Sequence, residues 1–116
     1  VFSSGDTGIT EATADTITDF VSGNDLIDLK SVTDGNLGTY VEANGAANNF
    51  ATFTTNATNS FSGSAIDIYV EYNLNGTGNT YVIIDENSSG NVSAGDTLII
   101  LGGLSGADGV DSSDFI

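Results

Sequence analysis

The chain has no cysteine and no histidine. Disulfides, thiolate nucleophiles, Ser-His-Asp catalysis and the usual zinc ligand sets are therefore excluded. Basic residues are almost absent as well. Lys and Arg total 1 against 16 Asp and Glu, giving a formal charge of −15. Nucleic acid and anionic membrane surfaces both need a basic partner, so neither is expected. No stretch approaches the roughly 20 apolar residues of a membrane span, so membrane insertion is not expected either. A basic, apolar N-terminal leader is also missing. The sequence opens at Val1-Phe2, which reads as part of a strand, so a fragment or processed product of a longer chain is expected.

What is present fits a single unit over residues 1–116. A length of 116 residues, 39% of them hydrophobic, suffices for one domain with one modest core. A charge of −15 repels itself in a compact state, which favours either disorder or cation binding. The apolar runs Ile66–Tyr72, Tyr81–Ile84 and Leu98–Leu101 argue for a folded chain. Its carboxylates are then partly neutralised by bound cations, with Ca2+ the expected ion.

Hydrophobic period separates the elements. Residues 15–20 alternate, with Ile17 and Phe20 facing a core, and residues 25–29 read as a second short strand. Residues 33–38 are turn-like. Phe50, Phe53, Ala57 and Phe61 recur at spacings of three and four, with Ala46 and Ala47 ahead, which predicts a helix near 46–61 that ends at Ser62-Gly63-Ser64. Its Thr and Asn content makes it a weak helix former that tertiary packing must hold. Residues 66–72 form the clearest strand, with Ile66, Ile68, Val70 and Tyr72 on one face and Asp67, Tyr69 and Glu71 on a solvent face. Asn75-Gly76 signals a hairpin to a partner strand at 80–85, and residues 97–101 form a last strand broken by Gly102-Gly103. The expected class is mainly β with a minor α+β character: about six short strands and one helix. They would be arranged as a β-roll-like cap or an antiparallel β-sandwich.

Residues 85–96 carry the strongest motif. Twelve-residue calcium loops place oxygen ligands at positions 1, 3, 5, 7, 9 and 12 and a glycine at 6. Those positions hold Asp85, Asn87, Ser89, Asn91 (through its carbonyl), Ser93 and Asp96, with Gly90 at position 6 and Val92 as an apolar anchor at position 8. Calcium takes six to eight hard oxygens, and alternate residues of a tightly wound loop direct them at one centre. Asp in place of Glu at position 12 shortens the reach, and serines at 5 and 9 leave only two charged ligands. An affinity on the order of 10⁻⁴–10⁻³ M follows, the class of extracellular modules. The flanks are strands, so the loop would act as a structural clip. The bland alternative is a polar hairpin loop without metal.

Weaker constellations surround it. Gly23-Asn24-Asp25-Leu26-Ile27 matches half of a β-roll nonapeptide, and Asp6, Asp15, Asp19 and Asp25 are candidate further ligands. A turn followed by a strand explains the same residues. Asp108, Asp111 and Asp114 read as a solvated acidic tail. Asp67 and Glu71 are a carboxylate pair of the kind glycosidases use, which an exposed strand face explains as well. Tyr69 and Tyr81 suit either a small sugar-stacking surface or cross-strand packing.

Phe2-Ser-Ser-Gly-Asp6, the run Ala14-Asp15-Thr-Ile17-Thr-Asp19-Phe20-Val-Ser-Gly23-Asn-Asp25-Leu-Ile27-Asp28-Leu29, and Ser112-Ser-Asp114-Phe115-Ile116 together resemble the C-terminal target domain of RTX-type proteins exported by type I secretion. The segment after the β-roll in serralysin-like metalloproteases is similar. So are the terminal modules of large bacterial adhesins and surface-layer (S-layer) proteins. The resemblance implies a non-catalytic secretion-targeting and folding-cap domain, extracellular or at the bacterial cell surface. It implies an ABC exporter as partner and an export signal ending in Asp114, Phe115 and Ile116. A structural module of a surface layer, adhesin or fibre, self-associating with calcium, is the other role it implies. The sequence has no complete nonapeptide repeat, so any β-roll would lie upstream.

Overall fold

The computed structural model describes residue 3 and residues 5–29, 37–45, 47–61, 66–106 and 109–116. The predictions that touch Val1-Phe2, Ser4, residues 33–36, Ala46, Ser62-Gly63-Ser64 and Asp108 lie outside these residues. Five strands are formed: β1 (Asp15–Ile17), β2 (Leu37–Asn44), β3 (Ile66–Tyr72), β4 (Thr80–Ile84) and β5 (Thr97–Leu101). One helix, α1 (Phe50–Ser60), lies between β2 and β3. The strands make a single sheet in the order β1-β5-β4-β3-β2.

The three apolar runs form its centre. β3 pairs antiparallel with β4, with Val70 opposite Val82, and β4 pairs antiparallel with β5, with Val82 opposite Ile99. The outer strands run parallel to their neighbours: β1 along β5 and β2 along β3. A parallel pair needs a crossover rather than a hairpin, and α1 lies in the crossover from β2 to β3. The domain is thus mainly β with one helix, as the sequence indicates. It is a mixed sheet, however, and not an antiparallel sandwich among the described residues.

Both faces of this sheet are covered. On one side Ile68, Val70, Tyr72, Val82, Ile84, Ile99 and Leu101 pack with Ile27, Leu29, Val110 and Phe115. On the other, Tyr69, Tyr81, Ile83, Leu98 and Ile100 pack beneath Phe53, Ala57 and Phe61 of the helical segment and Leu74. Double coverage explains why β4 and β5 read as continuous apolar runs and are buried at every position. It also corrects the solvent face predicted for β3. Asp67, Tyr69 and Glu71 are all buried. The Glu71 carboxylate accepts hydrogen bonds from the Ala47 N–H and the Tyr69 hydroxyl. Tyr69 and Tyr81 lie under Phe53, each ring 5.7 Å from it, so they are core residues and offer no surface for stacking a sugar.

The helix follows its spacing. Phe53 and Ala57 are its buried residues, and the Asn49 side chain caps it by accepting the Thr52 N–H at 2.8 Å. The hairpin after β3 turns through Asn73 and Asn75, both left-handed at φ 51° and 50°. Two elements differ from expectation. β2 occupies residues read as turn or left unassigned. Residues 25–29 make only an isolated parallel bridge, Ile27 with Phe115. Among the described residues no helix is long and apolar enough to cross a membrane.

Candidate metal centre

The 85–96 loop joins β4 to β5, and its geometry starts from their register. Ile84 pairs with Thr97, which sets Asp85 and Asp96 opposite each other at the loop's mouth. Both are buried. The Asp67 carbonyl accepts the Asp85 N–H at 2.9 Å, so Asp67 stands opposite Asp85 on the next strand. Each of the three lies two residues from a helix-side core residue (Tyr69, Ile83 or Leu98). Alternation therefore places all three on that face.

The loop winds onto Asp85. Its Oδ1 accepts the Ser89 N–H at 3.0 Å and its Oδ2 accepts the Gly90 N–H at 2.8 Å. The tight wind needs left-handed backbone at Ser88 (φ 53°) and at Gly90 (φ 72°), the position where the motif places glycine. An ionised carboxylate has about four lone-pair directions, so each Asp85 oxygen keeps one for a cation.

Asp96 differs. Its Oδ2 accepts the Ser93 N–H at 2.6 Å, while Oδ1 is buried with no hydrogen-bond partner. Burial pushes the Asp96 carboxyl above its ordinary value near 3.8. The Ser93 N–H opposes part of that rise, the nearby Asp85 charge adds to it, and weaker contacts from the Ser93 hydroxyl and the Glu86 N–H oppose it further.

The remaining candidates line the loop in pairs. The Asn87 carboxamide accepts the Ser89 N–H at 2.9 Å and donates to the Ser93 hydroxyl at 2.8 Å. The Ser89 hydroxyl donates to the Asn91 carbonyl at 2.9 Å. Val92 turns inward against the helix-side core, and its N–H donates to the Thr58 hydroxyl at 3.2 Å. The structure therefore brings Asp85 and Asp96 together and links Asn87 to Ser93 and Ser89 to Asn91. No group of three or more His, Cys, Asp or Glu suited to a metal occurs among the described residues. An ion here would take two carboxylates and complete its shell with neutral amide, hydroxyl and carbonyl oxygens.

Sequence reasoning missed Glu86 and read Asp67 only as a carboxylate paired with Glu71 on an exposed strand face. The Glu86 Oε1 accepts the Thr97 hydroxyl, and its Oε2 is buried without a partner. Glu86 stands at position 2 of the loop motif, which carries no ligand, so nothing marked it. The Asp67 Oδ1 accepts the Thr39 N–H at 2.8 Å, a donor from a strand the sequence did not reveal.

The weaker set is dispersed. Asp6, Asp15, Asp19 and Asp25 are all exposed. Asp6 accepts the Ser3 N–H and Asp25 the Val21 N–H, each closing a local turn.

The last residues of the sequence overturn the solvated tail at Asp114. That residue is 1% exposed. Its carboxylate accepts the Ser22 hydroxyl at 2.8 Å, the Gly23 N–H at 3.0 Å and the Asp111 N–H at 2.9 Å. Phe115 is buried against Tyr40, with ring centroids 5.6 Å apart, and Ile116 exchanges backbone hydrogen bonds with Ile27 and Leu29. Asp111 does stay exposed, as expected.

No protein-family model matches the sequence, and no curated protein matches it.

Proposed function

We propose that this chain is a non-catalytic, calcium-stabilised module of an exported bacterial protein, acting as its secretion-targeting and folding cap. The observation that carries the calcium reading is the buried, unpartnered Asp96 Oδ1 opposite the buried Asp85. A buried carboxylate oxygen without a donor is costly, and a second carboxylate beside it raises the cost. A divalent ion between them removes both penalties. The ion binds only when the loop is closed, so its binding energy adds to folding.

The non-catalytic reading is supported by the carboxylates themselves. Asp67 and Glu71 are buried and hydrogen-bonded to backbone groups, not displayed to a substrate. The targeting reading rests on the resemblance set out above and on the docking of Asp114–Ile116 against residues 22–29. That docking leaves these residues open to an exporter only before the module closes. Low calcium inside a cell would favour that open state; calcium outside would complete the fold.

Calorimetric calcium titration with thermal melting tests the ion. At tenfold saturation one site adds about 1.4 kcal/mol, a rise of about 6 °C in Tm. Asp85→Ala and Asp96→Ala abolish the response. Identical melting in EDTA and in saturating calcium overturns the reading. Targeting is tested by fusing the chain to a passenger in cells that carry a type I exporter. Deletion of residues 105–116 is expected to stop export.

A further inference from the structure

An open groove of about 420 Å³ lies beside the helix and reaches Val92 of the 85–96 loop. That volume is within the range of small-ligand sites. One wall is a row along α1: Phe50, Thr54 and Thr58, at successive spacings of four, with Thr55 and Asn59 beside them. The row extends about 12 Å. Ile9, Thr10 and Val92 complete the lining.

The lining has no charged side chain. On a molecule of charge −15 this is a local exception, and it narrows the ligand. An anion meets long-range repulsion with no basic residue to offset it. A cation finds no carboxylate in the groove. A purely apolar ligand would strip water from the Thr and Asn groups and replace it with nothing.

The hydrogen-bond inventory points further. The Thr54 and Thr55 hydroxyls both donate to the Ala51 carbonyl at 3.0 Å, so each is left to act as an acceptor towards the groove. The Thr58 hydroxyl accepts the Val92 N–H, which leaves its hydrogen as a donor. Asn59 carries both functions on one carboxamide. Phe50 supplies a half-buried aromatic surface, anchored by Phe53 at 5.7 Å and Tyr81 at 6.3 Å. A ligand that suits this set has hydroxyls that both donate and accept, one apolar face and no charge.

We propose that this groove binds a neutral saccharide, with its apolar face on Phe50 and its hydroxyls on Thr54, Thr55, Thr58 and Asn59. The groove is distinct from the proposed calcium centre but touches its loop at Val92; the other lining residues belong to α1 or to residues 9 and 10. It also differs from a stacking surface at Tyr69 and Tyr81, which burial rules out.

The test is a ¹⁵N NMR titration of the full chain, in calcium, with neutral cello-, xylo-, malto- and chito-oligosaccharides and with charged oligogalacturonate. At least one neutral sugar is expected to shift the amides of Phe50, Thr54, Thr55, Thr58 and Asn59. Oligogalacturonate is expected to shift none of them. Thr54→Val and Thr55→Val keep the side-chain shape and should each weaken binding about fivefold without moving Tm. Silence at these amides across the neutral panel overturns the proposal. So does equal binding of the charged sugar, or unchanged affinity in both valine variants.

Discussion

Asp96 and Asp114 are the same residue type at nearly the same burial, 3% and 1% exposed, yet their surroundings differ. Asp114 is finished by its own chain: a hydroxyl and two backbone N–H groups occupy both oxygens. Asp96 has a partner for one oxygen, none for the other, and a second buried carboxylate facing it. The chain can therefore bury a carboxylate without help from outside, and does so in the last turn. At the loop it stops short. On the proposal above, this buried acid, one donor short and beside a like charge, is where a positive ion would sit.

Substitution should separate the two. The largest effect belongs to Asp114→Ala, which orphans three donors and should cost about 2–4 kcal/mol in urea unfolding, equally with calcium and with EDTA. Asp96→Asn should behave in the opposite way in EDTA. Removing the buried charge raises stability in place of the loss expected at Asp114, and the calcium response disappears. If Asp96→Asn in EDTA loses as much as Asp114→Ala, the contrast fails.

Acid supplies a gentler version of the same experiment. Because the folded Asp96 carboxyl titrates above its ordinary value, the folded state holds a proton that the unfolded state has released. That contribution is full below about 3.8 and is lost as pH rises through the raised folded value. Asp111 has the opposite sign. Hydrogen bonds from Ser113 hold its carboxyl low, so its contribution is present above about 3.8 and lost as pH falls through the lowered value. The gap in Tm between calcium and EDTA should widen as pH is raised from about 4 to 7, and stay closed in Asp96→Asn. The smallest effect is expected at the dispersed acids. Asp19→Asn, on an exposed turn, should change stability by less than about 0.5 kcal/mol and leave the calcium titration as it was.

Sequence showed what local period can show. The runs of β3, β4 and β5, the Phe-Phe-Ala-Phe spacing of the helix and the glycine of the loop are all short-range signals. β2 escaped because Gly38, Thr39, Glu42 and Ala43 give a half-exposed edge strand no clean alternation. Parallel pairing escaped because it joins segments with no turn between them. The burial of Asp67 and Glu71 escaped for a related reason. Strand alternation normally marks one wet face, and here the donors that make a dry face tolerable, the Thr39 and Ala47 N–H groups, come from elsewhere in the chain. The seat of Phe115 and Ile116 was equally hidden, since their partners sit at residues 27–29.

The parallel bridge between Ile27 and Phe115 also sets a clock on synthesis. On the ribosome the segment around Ile27 emerges first and cannot find its partner until Phe115, 88 residues later, has also emerged. β1 waits in the same way for β5. Topology of this kind, dominated by distant pairings, folds slowly. The nascent polypeptide therefore keeps the Ile27 segment and β1 unpaired until residues 97–115 have left the ribosome.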